Sequence, residues 1–326
     1  MTTPTMRAAR LREPGPVTNL ELVDLPVPEP RPGWVRVKVE AFGLNRSELH
    51  TRLGLAEGVT FPRVLGIECV GVVDADPDGD LEGRQVAAMM GDMGRRYDGG
   101  YAEYTVVPRS NVVPFRSALP WEVIGAVPET LQTAYGSLTT GLDLHAGQTL
   151  LIRGGTSALG LVAATLAKDI GATVLSTTRN PDRAEALLRQ GVDQAVVDDG
   201  HIADTVRGLC PGGVDAALEL VGTPTLPDTL AATRVHGTVC FTGMLSNEWI
   251  VPNFYPIGYI PKGVRLTGYG GESEDLPSEV LQDHLDKLAS GAVNPGPTHV
   301  YTLDDIRRAH DDLEHNRVFG KLVVRL

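Results

Sequence analysis

The chain has 326 residues, which at roughly 150 residues per domain suggests two domains with cores large enough to need no covalent staples. Hydrophobic residues at 42% and charged residues at 21% exclude a disordered chain. The 29 basic and 41 acidic residues leave a net charge of −12, a poor start for gripping nucleic acid or an anionic membrane.

Cys69, Cys210 and Cys240 are too few and too scattered for a disulfide framework or a thiolate zinc site, which fits a reducing cytoplasm. The opening MTTPTMRAARLREPG lacks a charged start followed by an apolar run, so no secretory leader is expected. The best apolar stretch, LGLVAATLA, stops at Lys168, short of the roughly 20 residues of a membrane span. A soluble, acidic, cytoplasmic protein is expected.

Up to Phe115 the chain reads as β-rich. WVRVKVEAFG from Trp34 alternates like a half-buried strand, and VLGIECVGVV runs into the turn-rich DADPDGD. RQVAAMM and GGYAEYTVVP follow as further strands, and the short spacing suggests an antiparallel, barrel-like domain. From Trp121 the pattern changes to β-α-β-α-β. TLLIRGG, TVLSTT, QAVVDD, VDAALELVG and HGTVCFTGM are strands between helical stretches, which predicts a doubly wound parallel sheet. One of those helices is read over Asp182–Gly191, with Pro181 at its start. After Val264 the chain reads as a helix over Pro277–Ser290, an NPGP linker, a helix over Thr302–Asn316, and a closing strand GKLVVRL that would return to the first domain. The expected domains are residues 1–118, completed by 270–326, and residues 119–269.

The segment TLLIRGGTSALG is the most informative. A buried strand runs into Gly154, Gly155, Thr156, Ser157, Ala158, Leu159 and Gly160, then into an amphipathic helix. Glycines there let backbone approach a pyrophosphate, and the helix N-terminus adds N–H donors. The usual G-x-G-x-x-G would place Ser157 at its middle glycine, and a plain strand–helix turn is the other reading. After the second strand the chain reads Ser176-Thr177-Thr178-Arg179-Asn180, without the acid that binds the NAD ribose. Arg179 and the Thr178 hydroxyl, with Arg183 a turn later, would instead hold a 2′-phosphate, so NADPH is the expected cofactor. A solvated loop charge at Arg179 is the alternative.

The segments VPEPRPGWVRVKVEAFGLNRSEL, VLGIECVGVV, GGYAEYTVVP, QTAYGSL, GGTSALG and FGKLVV follow one another in this order. Together they resemble the medium-chain dehydrogenase/reductase superfamily, and within it the zinc-independent quinone oxidoreductases of the zeta-crystallin type. The resemblance implies a GroES-like substrate domain, a Rossmann domain for NADPH, and a cleft between them. Zinc-dependent relatives carry a cysteine where this chain has Asn45, a histidine at Ile67 and a second cysteine near Glu129. Catalytic zinc needs three donors, so no metal is expected, and Glu68 is read as a buried acid paired with a cation.

Without a Lewis acid, a quinone or α,β-unsaturated carbonyl is the natural hydride acceptor, because conjugation spreads the incoming charge. The resemblance places Asn45, as an amide donor, with His50 and Tyr135 at the substrate; a turn-capping amide at Asn45 and a surface helix position for His50 are the other readings. It places Arg46, Thr133, Phe319 and Lys321 against the cofactor, and adds backbone contacts near Tyr269; a surface salt bridge at Arg46 and a solvated strand lysine at Lys321 are the other readings. Val221, Gly222, Thr242 and Gly243 end parallel strands, beyond which ligands bind in open α/β sheets. An alkenal or enoyl reductase, and a non-catalytic NADPH-binding sensor or partner protein, are the alternatives. The family usually pairs as dimers along the Rossmann sheet edge. Here that edge lies near Val264–Tyr269, with Trp249, Phe254, Tyr255 and Tyr259 as candidate contacts or as loop packing.

Overall fold

The structure, a computed structural model, describes residues 4–296 and 298–326. The first three residues, where the leader reading begins, and Pro297 of the NPGP linker lie outside the described residues. Packing divides the chain into two units: residues up to Gln132 with Glu272–Leu326, and Thr133–Gly271.

The first unit opens with strands β1 (Thr5–Leu11), β2 (Leu20–Pro26) and β3 (Trp34–Gly43), then helix α1 (Arg46–Arg52). It continues through β4 (Arg63–Val64), β5 (Glu68–Ala75), β6 (Gln85–Met89), β7 (Tyr104–Pro108) and β8 (Val112–Phe115). Helices α2 (Trp121–Ile124) and α3 (Pro128–Gly136) follow, and the division between the units falls within α3. The alternation read in β3 is realised: Val35, Val37 and Val39 are buried while Lys38 faces water.

The second unit alternates strand and helix. Its order is β9 (Thr149–Arg153), α4 (Ala158–Ile170), β10 (Thr173–Thr178), α5 (Ala184–Arg189), β11 (Gln194–Val197) and α6 (Ala203–Leu209). Then come β12 (Val214–Glu219), α7 (Leu226–Ala232), β13 (Thr233–Phe241), α8 (Pro256–Tyr259) and β14 (Arg265–Gly268). The sheet order is β11-β10-β9-β12-β13-β14, every neighbouring pair parallel. This is the doubly wound class expected, and its order reverses between β9 and β12. Leu150, Leu151 and Ile152 of β9 are all fully buried, as a central strand covered on both faces requires.

The chain then returns through α9 (Ser278–Ser290), β15 (Thr298–Thr302), α10 (Ile306–Glu314) and β16 (Lys321–Arg325). β16 lies inside a sheet ordered β15-β16-β3-β5-β6-β8, with β7 also on β3. The closing strand thus completes the β-rich first unit, as its sequence suggested. Two helices differ from expectation. The Asp182–Gly191 helix is split into a 3-10 turn at Pro181–Arg183 and α5. The expected Thr302–Asn316 helix yields Thr302 to β15 and is split into a 3-10 turn at Leu303–Asp305, capped by the Thr302 hydroxyl donating to Asp305 (2.8 Å), and α10, which ends at Glu314. Among the described residues no helix is long and apolar enough to cross a membrane.

Candidate active site

The glycine turn after β9 is built by close packing. Gly154 sits at φ +88°, left-handed backbone that favours glycine. Its N–H donates to Thr177 Oγ1 (3.0 Å), and the Gly155 N–H donates to the Thr177 carbonyl (3.1 Å). A Cβ on Gly155 would lie 1.7 Å from Ser176 Oγ, and one on Gly160 would lie 2.7 Å from Gly155 Cα. Both glycines therefore set how closely α4 approaches the sheet. Ser157, at the fingerprint's middle position, caps α4: its Oγ accepts from the Gly160 N–H (3.1 Å) and donates to the Gly154 carbonyl (2.8 Å). Thr156, Ser157, Ala158 and Leu159 are half-buried around the N-terminus of α4.

A buried ionic frame that the sequence reading missed holds the strand ends. Arg153, the last residue of β9, is fully buried and pairs bidentately with Asp198 (both contacts 2.9 Å) and with Asp228 (2.7 Å). Burial alone would raise the Asp198 carboxyl; the Arg153 guanidinium overrides it and holds it below its ordinary value. Beside it, Glu219 accepts from the N–H groups of Val221 (2.7 Å) and Gly222 (3.1 Å). Val221 and Gly222 thus follow β12 as expected, with their amides already engaged. Thr242 and Gly243 follow β13, and Thr242 Oγ1 meets Ser137 Oγ at 3.0 Å. A charge closing an apolar strand was the available signal, since such a residue must be paired.

The residues after β10 divide. Arg179 is exposed, with no side-chain partner among the described residues, and Arg183 is half-buried in the next turn. Thr178 needs correction. It is buried, and its hydroxyl donates to the Asn180 carbonyl (3.0 Å) and accepts from the Asn180 N–H (3.2 Å). That hydroxyl closes the turn and is not offered to a phosphate.

In the first unit, Asn45 heads α1 and stands in a cluster of acids. Lys321 Nζ donates to Asn45 Oδ1 (2.5 Å) and Thr130 Oγ1 (2.9 Å), and pairs with Glu68 (2.8 Å) and Glu129 (3.6 Å). Asn45 Nδ2 donates to Glu68 Oε1 (2.9 Å) and lies 3.5 Å from Glu48 Oε1. An ammonium only donates and a carboxylate only accepts, so the amide's orientation is fixed by its partners. Two expectations are corrected here. Asn45 does not present a free N–H to an acceptor, because its amide is bonded inside the protein. Lys321, expected against the cofactor, has its ammonium buried among these acids instead. Glu68 is the cation-paired buried acid that was expected.

Glu48, three residues after Asn45, accepts from the backbone N–H of Asn45 and of Ile67, both at 3.0 Å. Burial nonetheless pushes its carboxyl up to about 7. A turn-capping amide was the other reading of Asn45, and the N-x-x-E spacing forms a capping box with Glu48 at the start of α1. Burial alone would lower the Lys321 ammonium; Glu68 and Glu129 override it and raise it. His50 is buried on the same helix, where a surface position was the competing reading. Arg46 reaches the Asn316 side chain. Thr133 and Tyr135 lie on α3, buried and half-buried, and Gly136 packs so close to Tyr269 that a Cβ would lie 1.8 Å from its hydroxyl. The half-buried Phe319 accepts at its carbonyl from His299 Nε2 (3.1 Å).

Residues 31–117 match the alcohol dehydrogenase GroES-like domain, and residues 158–288 match the zinc-binding dehydrogenase domain. The quinone oxidoreductase of Lama guanicoe is 26% identical over 331 residues, covering 98% of each chain. The NAD-dependent alcohol dehydrogenase of Sulfurisphaera tokodaii is 27% identical over 359 residues, covering 98% of this chain and 99% of its own. A mycobacterial protein solved in complex with NADPH shares the fold at a TM-score of 0.85 and 27% identity, over 98% of this chain and 100% of its own. The chain belongs to the medium-chain dehydrogenase/reductase superfamily, in its quinone oxidoreductase-like branch, and is an oxidoreductase that uses a nicotinamide cofactor.

The glycine turn fits such a cofactor, with backbone bare of Cβ atoms at Gly154, Gly155 and Gly160 and a capped helix N-terminus behind it. The residues at the metal positions do not fit zinc. Ile67 offers no donor atom from its side chain, and an ammonium already sits on Asn45 and Glu129.

Proposed function

We propose that the protein transfers a hydride from NADPH to a quinone or similar conjugated carbonyl, without a metal. The observation that carries this reading is the ammonium-filled acid cluster around Asn45. With that place taken by Lys321, the favoured acceptor is one that spreads hydride charge through its own conjugation. Bound nicotinamide supplies the hydride. The turn from Gly154 to Gly160 seats the pyrophosphate, Arg179 and Arg183 receive the 2′-phosphate, and His50 and Tyr135 serve the substrate. Asn45 acts through the start of α1 rather than on the acceptor.

The NADPH preference is supported by Arg179, which follows β10, is exposed and has no side-chain partner among the described residues, at a place where an acid would repel a phosphate. The two-domain division at 118/119 and 269/270 assigns substrate to the β-rich part and cofactor to the parallel sheet. A cytoplasmic homodimer completes the reading. Its support is the edge position of β14 together with exposed Ile250, Phe254, Tyr255 and Ile257.

The test is NADPH oxidation in EDTA, with a small quinone and a 2-alkenal in parallel and NADH as control. Fast quinone-dependent loss of NADPH, with NADH much slower, is expected. Turnover with the alkenal alone would move the chain to the C=C reductases. NADPH binding without turnover on either acceptor would make it a sensor, and activity lost in EDTA but restored by zinc would overturn the metal-free mechanism.

A further inference from the structure

Asn45, Ile67 and Glu129, the three positions at which zinc relatives are expected to carry ligands, converge here on something other than a metal. Asn45 accepts a hydrogen bond from Lys321 Nζ at 2.5 Å. Glu129 pairs with the same nitrogen at 3.6 Å, and its backbone N–H donates to Glu68 Oε2 at 2.9 Å. The Ile67 N–H is bonded to Glu48, whose other oxygen holds the Asn45 N–H. Asn45 and Glu129 are thus tied directly to a single positive charge carried by β16, and the Ile67 N–H is tied to it through Glu48 and then the Asn45 amide. We propose that the Lys321 ammonium is this protein's resident cation: it takes the structural place of a metal ion, neutralises Glu68 and Glu129, and fixes the Asn45 amide and the start of α1.

The atoms around Nζ make the idea testable without reference to the reaction. Asn45 Oδ1, Glu68 Oε1, Thr130 Oγ1 and Glu129 Oε2 lie 2.5, 2.8, 2.9 and 3.6 Å from it. Two carboxylates, an amide oxygen and a hydroxyl are hard donors, suited to a cation such as Mn²⁺ or Ca²⁺ rather than to zinc held by thiolate and imidazole. Removing the ammonium leaves an oxygen-lined place with excess negative charge. Lys321→Ala is therefore expected to melt well below the native protein and to recover a large part of the loss in millimolar MnCl₂ or CaCl₂. The native protein, whose place is filled, is expected to show no shift with MnCl₂, CaCl₂ or ZnCl₂ and no bound metal by elemental analysis.

Glu68→Gln/Lys321→Ala, with charge removed from both partners, keeps the test valid should the single variant not fold. It is expected to melt above Lys321→Ala and to respond several-fold less to MnCl₂. One equivalent of tightly bound zinc in the native protein would overturn the proposal. So would a Lys321→Ala variant with native melting temperature and no response to added cations. Neither readout involves NADPH or an acceptor, so a failed enzymatic assignment leaves this result standing.

Discussion

Glu48 and His310 are both enclosed in the first unit, and burial moves them in opposite directions. Glu48 is pushed up to about 7, so between the ordinary carboxylate range and neutrality the folded chain keeps a proton that the unfolded chain gives up. Its contribution is full below the unfolded value and is lost as pH rises towards 7, roughly 3 kcal/mol across the window. His310, bonded to the Tyr101 hydroxyl at 3.2 Å, is driven down to about 3 by burial and then by nearby Arg52. It stays neutral in the fold, so its contribution is full above the ordinary histidine value and drains away as pH falls from about 6.5 towards 3. Glu48→Gln should therefore flatten the stability gained on going from about pH 8 to pH 5, while His310→Gln should remove part of the loss on further acidification. Urea unfolding at these pH values decides it; variants with the native pH profile would refute the assignment. At the cofactor end, Arg179→Ser should lower kcat/KM for NADPH by about 10- to 100-fold and leave NADH nearly unchanged, since charged hydrogen bonds contribute roughly 1.5–3 kcal/mol. Equal losses with both cofactors would sink the phosphate role.

At the level of elements, the turn between β9 and α4 is where steric fit and helix capping coincide. Gly155→Ala drives a methyl group to 1.7 Å from Ser176 Oγ, so the Ser176 side chain must turn away or the glycine turn must shift; a loss of about 1–3 kcal/mol and of NADPH binding is expected. Ser157→Ala removes only the cap, costing about 1 kcal/mol, and Ser157→Gly less. Thermal melts with and without NADPH separate these cases; a Gly155→Ala chain that melts and binds like the native one would refute the packing argument. This turn was legible in sequence because its signals are local: an apolar strand, glycines and an amphipathic helix within a dozen or so residues. β15 was not legible, because THVYT sits between a Pro/Gly linker and a helix and gains its strand only by pairing with β16. The inward bonding of Asn45 was hidden for the same reason. Its partner Lys321 lies 276 positions away, and no local pattern reports a contact at that range.

For the whole molecule, the exposed aromatics and aliphatics before β14 predict how copies meet. Ile257, 84% exposed, is the most open of them, and if the proposed dimer forms there, Ile257→Asp should give a monomer in light scattering without lowering the melting temperature of the chain. A native protein that is already monomeric would remove the dimer from the proposal. The interior place of β16, between β15 and β3, also bears on time. The second unit is contiguous and can close its sheet as soon as β14 has left the ribosome. The first unit cannot, because an inner strand is synthesised after the whole of the second. Its acids wait as well: at roughly 5–20 residues per second, the 276 positions from Asn45 to Lys321 take about 14–55 seconds. During that interval the nascent first unit carries an open strand edge and a carboxylate cluster with no counter-charge. The parallel sheet therefore matures first, and the β-rich part becomes native only when the ammonium arrives.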